Sequence, residues 1–382
     1  MVGGRREVVN EVGKRQMLCS TSGGGKPIIP NTETCPGLAL PGELIERILS
    51  FLPLTCIFKF RSVCKEWNRL MSSQVFLKTC CSEPFGRPLF FFFADNWNRS
   101  VVAYKFESRR WFKVPFGCVP NLTNVKASSG NLILCKNLVG RADGFVDDGY
   151  VVCNPTTRAW IQLPQPPLLY RKISPRVLTM KQLGEGSSSS FQVIQSITVD
   201  GHETGGNGCF TLLQGYSSET NQWTIVGRIQ HSIASIVWSN DTIHCLSTSS
   251  RIVCSSKVGS HQWQSVYLPP DHRFWKLLKW EGVVILPGIC CSTNDLVVWM
   301  LNENDTQTGW TNVGQVDAHA RGRFDPVVCG DIIVFVGHTN LLTFNLRKKL
   351  WRILPSCPYM ERSCREPLPS SWSCQRSLFS PF

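Results

Sequence analysis

The sequence predicts a small all-α module of three helices followed by an all-β propeller of six blades, with seven as the alternative count. Three observations carry this prediction. A helical apolar period is confined to residues 37–82, short strand-like runs replace it after Arg87, and a Trp returns every 40–63 residues from Trp111 to Trp351. Residues 1–36 read as a disordered leader, 37–82 as the helical module, 88–358 as the propeller and 359–382 as a C-terminal tail. A chain of 382 residues exceeds what one compact core usually holds, so a small module beside a large one is the natural division.

Composition narrows the class. Hydrophobic residues make up 42% and charged residues 18%, which suits a core built largely of buried strands. The formal net charge of +13 favours acidic partner surfaces. The basic residues are scattered, however, with Arg347-Lys348-Lys349 the tightest group, so a primary nucleic-acid role is disfavoured. No 18-residue apolar run predicts a membrane-spanning helix, and Met1-Val2-Gly3-Gly4-Arg5-Arg6-Glu7 leads into no apolar stretch of the secretory kind. The expected location is therefore the cytosol, the nucleus or both. The 18 cysteines include no C-x-x-C pair, and the adjacent pairs Cys80-Cys81 and Cys290-Cys291 suit neither an ordinary disulfide nor a zinc knuckle. Cys135, Cys153, Cys245, Cys254 and Cys329 lie in apolar runs and read as small hydrophobes, so no metal or cofactor is expected. In the leader, Gly23-Gly24-Gly25-Lys26-Pro27 imitates a phosphate loop, but Pro27 stands where Ser or Thr would bind magnesium.

The helical module begins at Leu40-Pro41, since proline suits the first helical position. Leu44, Ile45, Ile48, Leu49 and Leu52 recur at spacings of one, three and four, which predicts a single apolar helix face, and Pro53 ends that helix. A second helix is predicted over 55–60, and a third carries Val63, Trp67 and Leu70, with Trp67 as the expected core anchor. Three short helices cannot bury all these side chains among themselves, and the surplus predicts a partner.

The propeller rests on a repeated unit of apolar strand, polar turn and a Trp opening the next strand. Its six tryptophans are Trp111, Trp160, Trp223, Trp263, Trp310 and Trp351, at intervals of 49, 63, 40, 47 and 41 residues. Four-stranded blades take about 40–50 residues, and the long interval contains the Gly/Ser-rich stretches 184–190 and 201–208. A pair of β-sandwiches would lack this unit. Tryptophan at a fixed place in each repeat predicts packing between neighbouring sheets before any ligand role.

Taken together, these segments resemble a known family. Leu40-Pro41, Ile48-Leu49, Leu52-Pro53 and Arg61-Ser62-Val63-Cys64-Lys65-Glu66-Trp67 resemble the F-box pattern in order and spacing, and the whole layout is similar to plant F-box/kelch-repeat proteins. The kelch half departs from its pattern, because the Gly-Gly doublet expected before the Tyr and Trp positions has one counterpart, Gly205-Gly206. The resemblance implies docking on a Skp1-like protein, and through it on a cullin, by Leu40, Pro41, Leu44, Ile45, Ile48, Leu49, Leu52, Pro53, Ile57, Val63, Cys64 and Trp67. Lys59, Arg61, Lys65 and Arg69 would add positive charge that steers an acidic partner. It implies an adaptor of a ubiquitin ligase that performs no bond chemistry and raises the local concentration of a protein substrate. That substrate would meet loops 136–149, 201–208, 287–294 or 315–324, where Arg141, Asp143, His202, Arg321 and Arg323 are the candidate readers.

Two other classes were weighed. A scaffold or transcriptional cofactor would keep the Skp1 contact without ubiquitination. A kelch-type copper oxidase would need clustered His and Tyr ligands, and His202, His231, His244, His261, His272, His319 and His338 are dispersed in sequence with no metal-type pair.

Overall fold

The computed structural model describes residues 40–374, except 53, 74, 77–88, 94–100, 107, 115–121, 131, 141–145, 155–158, 168–176, 184–189, 201–208, 261, 303–308, 318–323, 338–340 and 360–370. Three helices come first: α1 (Gly42–Ser50), α2 (Leu54–Phe60) and α3 (Lys65–Met71). The rest is strands, and no helix among the described residues is long and apolar enough to cross a membrane.

The strands form six antiparallel sheets, the blades of a propeller. Blade 1 holds β1 (Leu89–Phe93), β2 (Val101–Lys105) and β3 (Arg110–Val114). Blade 2 holds β4 (Leu122–Ser129), β5 (Leu132–Gly140), β6 (Val146–Cys153) and β7 (Trp160–Gln162). Blade 3 holds β8 (Leu178–Leu183), β9 (Ser190–Asp200), β10 (Cys209–Ser217) and β11 (Gln222–Ile229). Blade 4 holds β12 (Ser235–Ser239), β13 (Thr242–Ser247), β14 (Ile252–Lys257) and β15 (Gln264–Tyr267). In blade 5 the first strand is broken into β16 (His272–Phe274) and β17 (Leu278–Trp280), both paired with β18 (Val283–Cys290), before β19 (Leu296–Leu301) and β20 (Trp310–Val316). Blade 6 holds β21 (Asp325–Cys329), β22 (Ile332–Val336), β23 (Leu341–Asn345) and β24 (Leu350–Ile353).

The first strand of blade 1 comes from the far end of the chain. β25 (Ser371–Cys374) pairs antiparallel with β1, Leu89 opposite Cys374 and Phe92 opposite Ser371. Residues 371–374, assigned by the sequence to a tail beginning at 359, are therefore part of the propeller. Four residues are too short a run to read as a strand from the sequence, and the pairing with β1 is what reveals them. The first strands neighbour one another in the cycle β25, β4, β8, β12, β17, β21 and back to β25, which closes the ring at six blades. Closure removes the exposed inner edges that such a run of sheets would otherwise present.

The repeat tryptophans lie on or just before the outer strand of each blade, and Trp111, Trp223, Trp263 and Trp310 reach the preceding blade. Trp111 donates its indole N–H to the Pro355 carbonyl at 3.0 Å, Trp223 to Pro164 at 2.8 Å and Trp310 to Tyr267 at 3.0 Å. Trp263 joins the apolar cluster between blades 3 and 4 and approaches Gly227 so closely that a Cβ there would sit 3.1 Å from its ring. Trp351 packs on Phe335 and Phe344 in the cluster between blades 5 and 6. Gly314 on β20 of blade 5 lets Phe344 of blade 6 approach across this seam, because a Cβ would fall 2.4 Å from the buried Phe344 ring. Trp160 is the exception and is 45% exposed. The seam it would close, between blades 1 and 2, has an apolar cluster that also contains Leu49, Ile57, Met71 and Phe76 of the helical segment.

The cysteines Cys135, Cys153, Cys245, Cys254 and Cys329 are buried free thiols in these strands. In blade 4, buried His244 lies opposite Ser255, its Nδ1 2.8 Å from the hydroxyl, and burial pushes its pKa down to about 4.

Two stability predictions follow from this packing. Trp310→Phe removes one buried latch and should cost about 1–2 kcal/mol in chemical denaturation, whereas Trp160→Phe should stay within about 0.5 kcal/mol. Equal losses would contradict the latch. For His244, the folded pKa of about 4 lies below the ordinary 6.5, so the unfolded chain binds more protons between these values. The associated stability is present above pH 6.5 and is lost as pH falls toward 4, by up to about 3 kcal/mol. His244→Leu should flatten that slope in denaturation curves taken across this range.

Candidate partner-docking site

Helix α1 carries two apolar stripes rather than one. Ile45, Leu49 and Leu52 point into the cluster shared with blades 1 and 2, and Leu49 is only 4% exposed. Leu44, Ile48 and Phe51, at i, i+4 and i+7, form a second stripe in solvent, with Ile48 52% exposed. The single face predicted from spacing is thus corrected. Adjacent apolar pairs such as Leu44-Ile45 and Ile48-Leu49 are about 100° apart around a helix and serve two surfaces. Phe51 was left out of the predicted face, and the i, i+4, i+7 spacing from Leu44 is the pattern that would have found it.

Ile57 on α2 is 1% exposed, so it and Leu49 belong to the inner core and offer nothing to a partner in this state. Trp67 is half-buried and edge-on to Phe60, with ring centroids 5.6 Å apart. The deepest anchors are instead Ile57, Met71 and Phe76. Val63 lies in the turn before α3, outside the predicted helix, and is 62% exposed. Cys64 is exposed and caps α3, its sulfur accepting from the Trp67 backbone N–H at 3.4 Å. Leu40 and Pro41 are exposed as well. Of the predicted cations, Lys59, Lys65 and Arg69 are exposed, but Arg61 is buried and donates from Nε to Asn68 Oδ1 at 3.0 Å. Arg61 therefore braces the α2–α3 turn rather than charging its surface.

Strand direction assigns the propeller loops to two ends of the ring. Turns joining first to second and third to fourth strands share one end. Turns joining second to third strands, and the connections between blades, share the other. Loops 136–149, 201–208, 287–294 and 315–324 all belong to the second end, while β1, a second strand, starts at the first end. Strand β1 thus begins at the end opposite these loops. Arg141, Asp143, His202, Arg321, Arg323 and Pro53 lie outside the described residues. In the β18–β19 turn, Cys290 Sγ lies 3.1 Å from Ser292 Oγ, and hydrogen bonds from Ser292 and Thr293 bring its thiol pKa down to about 7.

Among the described residues no group of three His, Cys, Asp or Glu side chains converges to hold a metal ion. His231 is held by Ser250, Nδ1 to Oγ 2.8 Å, and His272 stacks on Phe274. His202, His261, His319 and His338 lie outside the described residues.

The fold and the outward stripe define a class: a helical docking module joined to a six-bladed propeller. Residues 38–79 match the F-box domain and residues 114–377 match the family described as "F-box protein At3g26010-like, beta-propeller". The chain belongs to that F-box propeller family. Its relatives in Arabidopsis thaliana include F-box/kelch-repeat protein At3g61590, 25% identical over 85% of each chain. F-box protein At5g49610 is 23% identical over 83% of this chain and 91% of its own length. SKP1-interacting partner 15 is 29% identical over 35% of this chain and 39% of its own.

Proposed function

We propose that this chain is a substrate-recognition adaptor of a Skp1–cullin–F-box ubiquitin ligase, with its helices docked on a Skp1-like subunit and the propeller holding a target protein. The observation that carries the reading is the outward stripe of Leu44, Ile48 and Phe51. The inner stripe already joins the core, whereas Leu44 and Ile48 stay largely in solvent. Full burial of each against a partner is worth about 1.5–3 kcal/mol. A related chain named for interaction with SKP1 and the F-box match at 38–79 support the choice of partner. The target would bind on the propeller loops rather than on the helices, so the two partners use different surfaces. The chain supplies proximity, and the bond chemistry belongs to other subunits.

Full-length protein carrying Leu44→Asp and Ile48→Asp should lose co-purification with a Skp1-like subunit, affinity falling more than about 100-fold, while its thermal midpoint stays unchanged. Leu49→Ala should do the reverse, costing about 2–5 kcal/mol of stability through the inner core. Retention of the subunit by the double variant would defeat the reading.

A further inference from the structure

Several buried polar side chains of the ring close their hydrogen bonds within the protein. His244 meets Ser255 across two strands of blade 4, Nδ1 to Oγ 2.8 Å. Thr211 donates to the His231 carbonyl at 2.7 Å, and Thr343 to that of Arg352 at 3.1 Å. Ser235 accepts from the Leu277 backbone N–H at 2.9 Å. Gln195 on β9 and Gln214 on β10 depart from this pattern. Both are 0% exposed, and neither the oxygen nor the nitrogen of either side-chain amide meets a hydrogen-bonding group of the protein. Among the described residues no other side chain leaves two such atoms.

The two glutamines form one feature. They stand directly opposite each other in the β9–β10 ladder, which runs through this stretch without a shift of register. Their side chains therefore leave the sheet on the same face, with Cβ atoms about 4.5–5.5 Å apart. Residues two apart along a strand share a face. Val193 accordingly lies beside Gln195 and Tyr216 beside Gln214, while Leu178 faces Gln195 from β8. All three belong to the apolar cluster that contains Leu134, Tyr150 and Val152 of blade 2. The amides thus look into the seam between blades 2 and 3, and Ile197, the next residue of β9 on that face, is also buried.

We infer that Gln195 and Gln214 form an interior hydration site at the seam of blades 2 and 3, where the two amides hold ordered water. An unpaired buried amide carries the full penalty of its lost hydration, and stable folds pair such groups with protein or with ordered water. Each amide offers donors and an acceptor together, the set that matches a water molecule. Both amides are neutral, so they offer an ion no opposite charge. Complete burial of both side chains favours an occupant small enough to be enclosed as the seam closes. A water held here makes about three hydrogen bonds and is part of the packed structure. The inference stands apart from the adaptor reading, since it concerns the inside of the ring.

The test is a crystal structure of the full-length chain, joined to denaturation curves of three variants. The expected result is density for water within hydrogen-bonding distance of both amides. Direct pairing of the amides with no water between them overturns the inference, and so does density whose short contacts identify a metal ion. In solution, Gln195→Leu or Gln214→Leu alone leaves the water and one amide without their partner, and each should lower the denaturation midpoint. Gln195→Leu with Gln214→Leu removes every polar atom of the site together with its water, and should recover much of that loss. Losses that simply add would show that the amides share no occupant, which also overturns the inference. If a variant fails to fold, the crystal structure of the unmodified chain decides.

Discussion

The pairing of β25 with β1 is the constraint on which the rest of the structure depends. It recruits residues 371–374 to the sheet that begins at Leu89, so blade 1 exists only when both ends of the propeller segment have met. The loop this closes is the longest in the fold, and its entropy must be offset by contacts that form late. Blade 1 is also the blade whose apolar cluster takes in Leu49, Ile57, Met71 and Phe76. The packing of the docking helices is therefore tied to closure of the ring.

Around the ring, one device recurs with variations. A Trp on or beside an outer strand reaches back to the blade before it, through an indole hydrogen bond at Trp111, Trp223 and Trp310 and through ring packing at Trp263, while Trp351 packs on Phe335 and Phe344 of its own blade. Indole serves both ends of this contact, because its body is apolar and its N–H satisfies a strand-end carbonyl. Trp160 departs from the device at the one seam whose cluster includes the helices. The helical module thus contributes apolar surface where the ring's own closure is weakest.

Much of this was legible in the sequence, and the limits are physical. The strand–turn–Trp unit could be counted because indole is large and its position is fixed by packing, so six tryptophans gave six blades. The inner strand β25 could not be seen, since Ser371-Trp372-Ser373-Cys374 is too short a run to stand out and lies far along the chain from the β1 strand it pairs with. The F-box was visible as a pattern, but the pattern does not say which face a residue uses. Leu49 and Ile57 proved to be core, Leu44 and Ile48 surface, and Arg61 a buried brace.

The helices share an apolar cluster with blades 1 and 2 and leave Leu44 and Ile48 exposed on the other side of α1. The most direct measurement is proximity labelling in cells by the intact chain, with and without proteasome inhibition, beside the chain carrying Leu44→Asp and Ile48→Asp. The account predicts a labelled protein that accumulates under inhibition with the intact chain, and that accumulates without inhibition when the stripe is disrupted. A set of labelled partners whose abundance responds to neither change would contradict it.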